Sequence, residues 1–147
     1  MYTSIVVGTD GSDRANVAVR AALDLAKLTG ATVHGVHVLR PMLTAASAQL
    51  DAAALVITNA DRQEEADRVR SDFLAEAERA GVAADMDVFD GDPADALVKV
   101  AEVAEADLLV VGNRGMAGVK RFVLGSVPNK VSHRAPCSLL IVDTDRS

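Results

Sequence analysis

Five short apolar runs alternate with helical patterns along this chain, and that alternation restricts the possible fold more than any other feature. The runs are "SIVVGTD" (residues 4 to 10), "ATVHGVHVL" (31 to 39), "ADMDVFD" (84 to 90), "DLLVVG" (107 to 112) and "CSLLIVD" (137 to 143). After the first run, Ala15, Ala18, Ala22, Leu25 and Ala26 fall on one helical face, with Ser12 placed to cap the start and Gly30 to stop the end. Residues 40 to 60 are Ala-rich and poorly patterned. "DRQEEADRVRSDFLAEAERAG" then sets Val69, Phe73, Leu74 and Ala77 at helical spacing, with Gly81 beyond. In "GDPADALVKVAEVAEA", Asp92 stands at an N-cap, Pro93 at the first helical position, and Leu97, Ala101 and Ala104 continue the stripe. The third run alternates Met86 and Val88 with acids, as a half-buried strand does, whereas the last two are continuously apolar, as strands covered on both faces are. Strands alternating with helices imply βαβ units. Right-handed crossovers then give a doubly wound α/β fold, a mainly parallel five-stranded sheet with helices on both faces.

With 147 residues, half of them hydrophobic, the chain is expected to form one domain spanning residues 1–147. Fifteen basic against twenty-one acidic residues leave a net charge of -6, which disfavours binding to nucleic acid or to an anionic membrane. No apolar run approaches the roughly 20 residues that span a bilayer, and the start "MYTSIVVGTDGS" lacks a basic segment followed by a long apolar one. A single cysteine, Cys137, cannot make an internal disulfide and reads as a small core residue. The expected location is cytoplasmic.

Against that acidic background, residues 112 to 126 carry Arg114, Lys120 and Arg121 and no acid. The same stretch holds Gly112, Gly115, Gly118 and Gly125, which let a ligand approach the backbone closely. Gly125 and Ser126 meet a helix expected to begin near Val127 and Pro128, where unpaired N–H groups favour an anion, with Ser126 as its N-cap. This chemistry suits a phosphate. Ligands of doubly wound sheets sit outside the carboxyl ends of the strands, where strand order reverses. Both glycine-bearing connections, "GTDGS" after the first strand and residues 112 to 126 after the fourth, leave such ends. They face each other across one crevice if those two strands are neighbours.

Two roles fit Asp10: an Asx-turn leading into the first helix, or a contact to a ligand. His34 and His37, three apart on a strand, point to opposite faces and do not suit a shared metal. Neither G-x-x-x-x-G-K-[ST] nor G-x-G-x-x-G opening the first helix occurs, so neither a P-loop NTPase nor a dinucleotide-binding domain is supported. An ATP pyrophosphatase-type phosphate loop, S-G-G-x-D-S, is met only by "TDGSD", which lacks the paired glycines.

Gly112, two residues, Gly115, nine residues, then Gly125 and Ser126 match the pattern G-x2-G-x9-G-[ST], and the whole chain resembles the universal stress protein family of the ATP-binding type. The resemblance extends to "VVGTDGS", "ADLLVVGNRG" and "GSVPNKVSHRAPCSLLIV". It implies the strand order 3-2-1-4-5. It also implies that Asp10 meets the nucleoside side, that the backbone at Val38 meets adenine, and that Gly112, Arg114, Gly115, Gly125 and Ser126 hold ribose and phosphates. The candidate binding set is Gly8, Thr9 and Asp10, then Val38, then Gly112, Asn113, Arg114, Gly115, Met116, Gly118, Gly125, Ser126 and Val127. The expected ligand is ATP, with or without Mg²⁺, or AMP or cyclic AMP.

No catalytic triad, carboxylate pair or metal cluster is legible, and slow ATP hydrolysis is the most that Asp10 holding Mg²⁺ would support. A nucleotide-binding regulatory module, a slow ATP-hydrolysing enzyme and a nucleotide-free structural dimer are the three function classes left open. In the implied strand order "CSLLIVD" lies at the sheet edge with no Lys or Pro among Leu139, Leu140, Ile141 and Val142, so a homodimer through this C-terminal strand is expected.

Overall fold

The computed structural model describes residues 1–41, 58–114 and 124–145. Its elements run β1 (Ser4–Gly8), α1 (Asp13–Thr29), β2 (Thr32–Val38), α2 (Asn59–Ala80), β3 (Ala84–Phe89), α3 (Pro93–Val103), β4 (Leu108–Gly112), α4 (Ser126–Arg134) and β5 (Ser138–Val142). All strand pairings are parallel and the sheet order is β3-β2-β1-β4-β5. This is the doubly wound architecture expected from the alternation, in the strand order implied by the resemblance.

The continuously apolar runs follow from the position of β1 and β4 at the centre. Successive side chains on a strand point to opposite faces. Ile5, Val7, Leu108 and Val110 therefore enter one core with α1 and α2, while Val6, Leu109 and Val111 enter a second with α3 and α4. Among the described residues, no helix is long and apolar enough to cross a membrane.

Local signals set the helix ends. The Ser12 hydroxyl accepts the Ala15 N–H at 3.2 Å, and Gly30 closes α1 in the left-handed region. Asp92 caps α3 ahead of Pro93. Helix α2 starts earlier than its apolar stripe suggests, at a reciprocal cap: the Thr58 hydroxyl accepts the Asp61 N–H, and the Asp61 carboxylate accepts the Thr58 N–H.

Two features tie the sheet to its surroundings, the first across the β1–β4 seam and the second beneath α2. Asp107, just ahead of β4, accepts the Thr3 N–H at 2.9 Å and the Thr3 hydroxyl at 2.8 Å, while its own N–H donates to Ser4. These bonds, the Thr3 N–H foremost, hold its carboxyl below the usual range. In β2, Gly35 admits the α2 layer: a Cβ there would stand 2.8 Å from Met86 Cε and 2.9 Å from the Phe73 ring.

Gly35→Ala should therefore overpack this core and lower unfolding stability by about 1–3 kcal/mol in urea titration. Asp107→Asn should lower the melting temperature at neutral pH. Because the folded-state pKa is depressed, the carboxylate's contribution is complete above its unfolded value of about 3.9 and fades as pH falls through the folded value. The gap between wild type and Asp107→Asn should thus close in acid; a gap independent of pH would refute the assignment.

Candidate functional site

The crossovers diverge between β1 and β4, and a cleft of about 410 Å³ opens at the carboxyl ends of these strands. That volume falls within the range of roughly 300–1,000 Å³ found for small-molecule sites.

One side of the cleft is the turn from β1 to α1. Thr9 continues the ladder by donating its N–H to Val36 at 3.0 Å. The Thr9 hydroxyl accepts the Gly11 N–H and the Asp10 carboxylate accepts the Ser12 N–H at 2.9 Å, so Asp10 forms the Asx-turn while also lining the cleft. Beneath this turn His37, 1% exposed, places Nδ1 3.0 Å from the Thr9 carbonyl, and its N–H donates there. The other histidine of β2, His34, faces away and meets Asp85.

The floor and far wall are apolar: Val36 and Val38 from β2, Val111 from β4, Pro93 and Leu97 from α3. A Cβ at Gly8 would stand 3.1 Å from Leu97 Cδ2, so α3 sits close against the end of β1. Helices α3 and α4 are fastened by Asp92 to Lys130 at 3.0 Å and by an Asp95–Arg134 ion pair. The Lys130 ammonium and the Asp95 N–H hold the Asp92 carboxyl below its ordinary value.

The third wall joins β4 to α4. Asn113 donates its N–H to Val142 and accepts the Gly125 N–H at 2.9 Å on its carbonyl, which brings residue 125 back beside the end of β4. Helix α4 opens with Gly125 as N-cap and no side-chain cap, and no acid lies in its first turn. Ser126 is thus the first helical residue and not the N-cap expected from the sequence. Its position inside the first turn follows from the backbone bond between Asn113 and Gly125. Gly125, Ser126, Val127 and Pro128 line the cleft with Gly112 and Arg114.

The structure gathers Gly8, Thr9, Asp10, Val38, Gly112, Arg114, Gly125, Ser126 and Val127 around this single cleft. Asn113 stands apart. Its side-chain oxygen accepts the Thr144 N–H at 3.1 Å and the Thr144 hydroxyl at 2.9 Å, and its amide donates toward Asp143. Gly115, Met116 and Gly118, with Lys120 and Arg121, lie outside the described residues. Sequence reasoning missed Ala15, Val36, Pro93, Leu97, Val111 and Pro128 as lining residues. Their apolar character marked them as core or helix-start positions, and only the convergence of β2, β4, α1, α3 and α4 puts them at the cleft. Cys137 is partly buried, and burial, then the Asp107 charge, pushes its thiol pKa up, away from thiolate chemistry.

The family described as "Universal stress protein family" matches residues 1–143. A universal stress protein of Mycobacterium tuberculosis is 39% identical over 146 residues, covering 97% of each chain. One from Methanocaldococcus jannaschii is 32% identical over 144 residues, covering 97% of this chain and 82% of its own. Among solved structures, a universal stress protein in complex with cAMP superposes with a TM-score of 0.73 at 32% identity, over 97% of this chain and 98% of that one. The Archaeoglobus fulgidus universal stress protein in complex with dAMP gives 0.70 at 26% identity, with the same coverages. Sheet order and likeness along nearly the whole length agree: the chain belongs to the universal stress protein family.

Proposed function

We propose that this protein is an adenine-nucleotide-binding regulatory module of the stress response, acting in the cytoplasm, with ATP as its ligand and AMP or cyclic AMP able to take the same cleft. The observation that carries this reading is the cleft at the β1/β4 divergence. Its walls are largely apolar, suited to a base, and its polar groups converge at the rim: Asp10 on one side, Arg114 and the first turn of α4 on the other. Unpaired N–H groups and the helix dipole at that turn favour a phosphate. The solved relatives with cAMP and dAMP support the class of ligand. Asp10 is the acid among the described lining residues, and it suits a ribose hydroxyl or an Mg²⁺ that arrives with the phosphates.

A homodimer through β5 is the second part of the proposal. β5 forms the sheet edge, and Leu139, Leu140, Ile141 and Val142 are only partly buried. An apolar edge of this kind is a surface that proteins ordinarily cover, and a two-fold pairing would cover both copies.

Calorimetry should show saturable ATP binding to the wild type. Ser126→Asp should keep α4, since an acid in the first turn suits the dipole, yet weaken ATP roughly tenfold or more by repelling phosphate. Asp10→Ala should cost about 1–3 kcal/mol of binding. Undiminished affinity in Ser126→Asp would overturn the assignment of the phosphate side. In sedimentation the wild type should run at twice the chain mass, and Ile141→Pro, which removes a donor from the edge, should shift it toward monomer. A wild type that stays monomeric at high micromolar concentration would remove the dimer from the proposal.

A further inference from the structure

The cation lining the cleft is already engaged by the chain's own carboxyl-terminal segment. The Arg114 side chain, 8% exposed, forms an ion pair with Asp145. Asp145 is held in place by a set of bonds separate from that ion pair. The Asn113 side-chain oxygen takes both the N–H and the hydroxyl of Thr144, and Asp143 accepts the Asp145 N–H at 3.1 Å. Thr144 is buried over Gly112, where a Cβ would stand 2.9 Å from its Cγ2. Side-chain bonds from Asn113, just past β4, and from Asp143, together with a glycine with no room for a Cβ, thus fix the segment that aims a carboxylate at the guanidinium.

We infer that Asp145 sets the charge preference of the cleft, acting as a built-in counter-anion that penalises ligands in proportion to the negative charge they bring to Arg114. This inference rests on the nucleotide reading above and deepens it. Arg114 lines the cleft and Asp145 is not among the lining residues, so the carboxylate does not close the site. It cancels much of the positive potential that a triphosphate needs, while a nucleoside without phosphate is indifferent to it. Relative to a cleft lacking Asp145, the balance moves from the triphosphate toward the monophosphate.

The test is titration of the full chain with ATP, AMP and adenosine at fixed ionic strength. Asp145→Asn, nearly isosteric, should tighten ATP by about three- to tenfold, AMP by less and adenosine not at all. On an Arg114→Gln background the carboxylate is left without its cation, so Asp145→Asn should again tighten ATP and leave adenosine unchanged. Asn113→Ala, which unties Thr144 without touching the carboxylate, should raise the ATP-to-adenosine affinity ratio in the same direction. A purely structural role for the segment would move all three ligands together, and that result overturns the inference. Nucleotide binding with an unchanged ratio in Asp145→Asn overturns it alone; no binding of any of the three ligands to any variant overturns the nucleotide reading along with it.

Discussion

The parallel pairing of β1 with β4 is the constraint from which the rest of the structure follows. Ile5, Val6 and Val7 stand opposite Leu108, Leu109 and Val110, all of them buried. From β1 the chain moves outward to β2 and β3, then returns past its own start to β4 and continues to β5. Crossovers on the two sides of this seam run in opposite directions, so α1 and α2 cover one face and α3 and α4 the other. The connections leaving β1 and β4 must part as they rise from adjacent strands. The cleft is the space between them, a consequence of topology before any side chain is considered.

Side chains then give that space its chemistry. The apolar wall is contributed by residues that also belong to the second core, such as Val36, Leu97 and Val111, so the cleft floor is as firm as the core beneath it. The polar groups sit on connections, each held by bonds that do not involve a ligand: Asp10 by the Ser12 N–H, the start of α4 by the Asn113 carbonyl, and Arg114 by Asp145. A site assembled in this way is preorganised, and a ligand need not order the turns that meet it.

Much of this was legible in the sequence because it is local. The period of two in the strands, the period of 3.6 in α1 and α3, and the Ser12, Gly30 and Asp92–Pro93 signals each reside within a few residues. The cap of α2, which pairs Thr58 with Asp61, is as local as these but was missed because Thr58 falls in a stretch whose Ala-rich composition hid it. The rest of what was not legible depends on distant partners. Gly112 suggested close approach by a ligand, whereas the atom its missing Cβ makes room for belongs to Thr144. Asn113, within the phosphate-type loop by sequence, gives its side chain to the carboxyl-terminal segment. β5 carries the continuous apolar run of a central strand yet lies at the edge, where its pattern alone would not put it but the strand order implied by the family resemblance did. His37 carries no signal of its own; its support of the Thr9 carbonyl exists only once β1 and β2 are paired.

The central claim is that an adenine nucleotide enters the cleft between the ends of β1 and β4. Amide chemical-shift mapping of the full chain during titration with ATP tests it most directly, because it reports where a ligand sits as well as whether it binds. The account predicts saturable shifts concentrated at Gly8, Thr9, Asp10, Val38, Gly112 and Gly125 to Val127, with the cavity between α1 and α2, around Asn16, Asp72 and Glu76, unmoved. Shifts centred on that second cavity, or no saturable shifts at millimolar nucleotide, would contradict it.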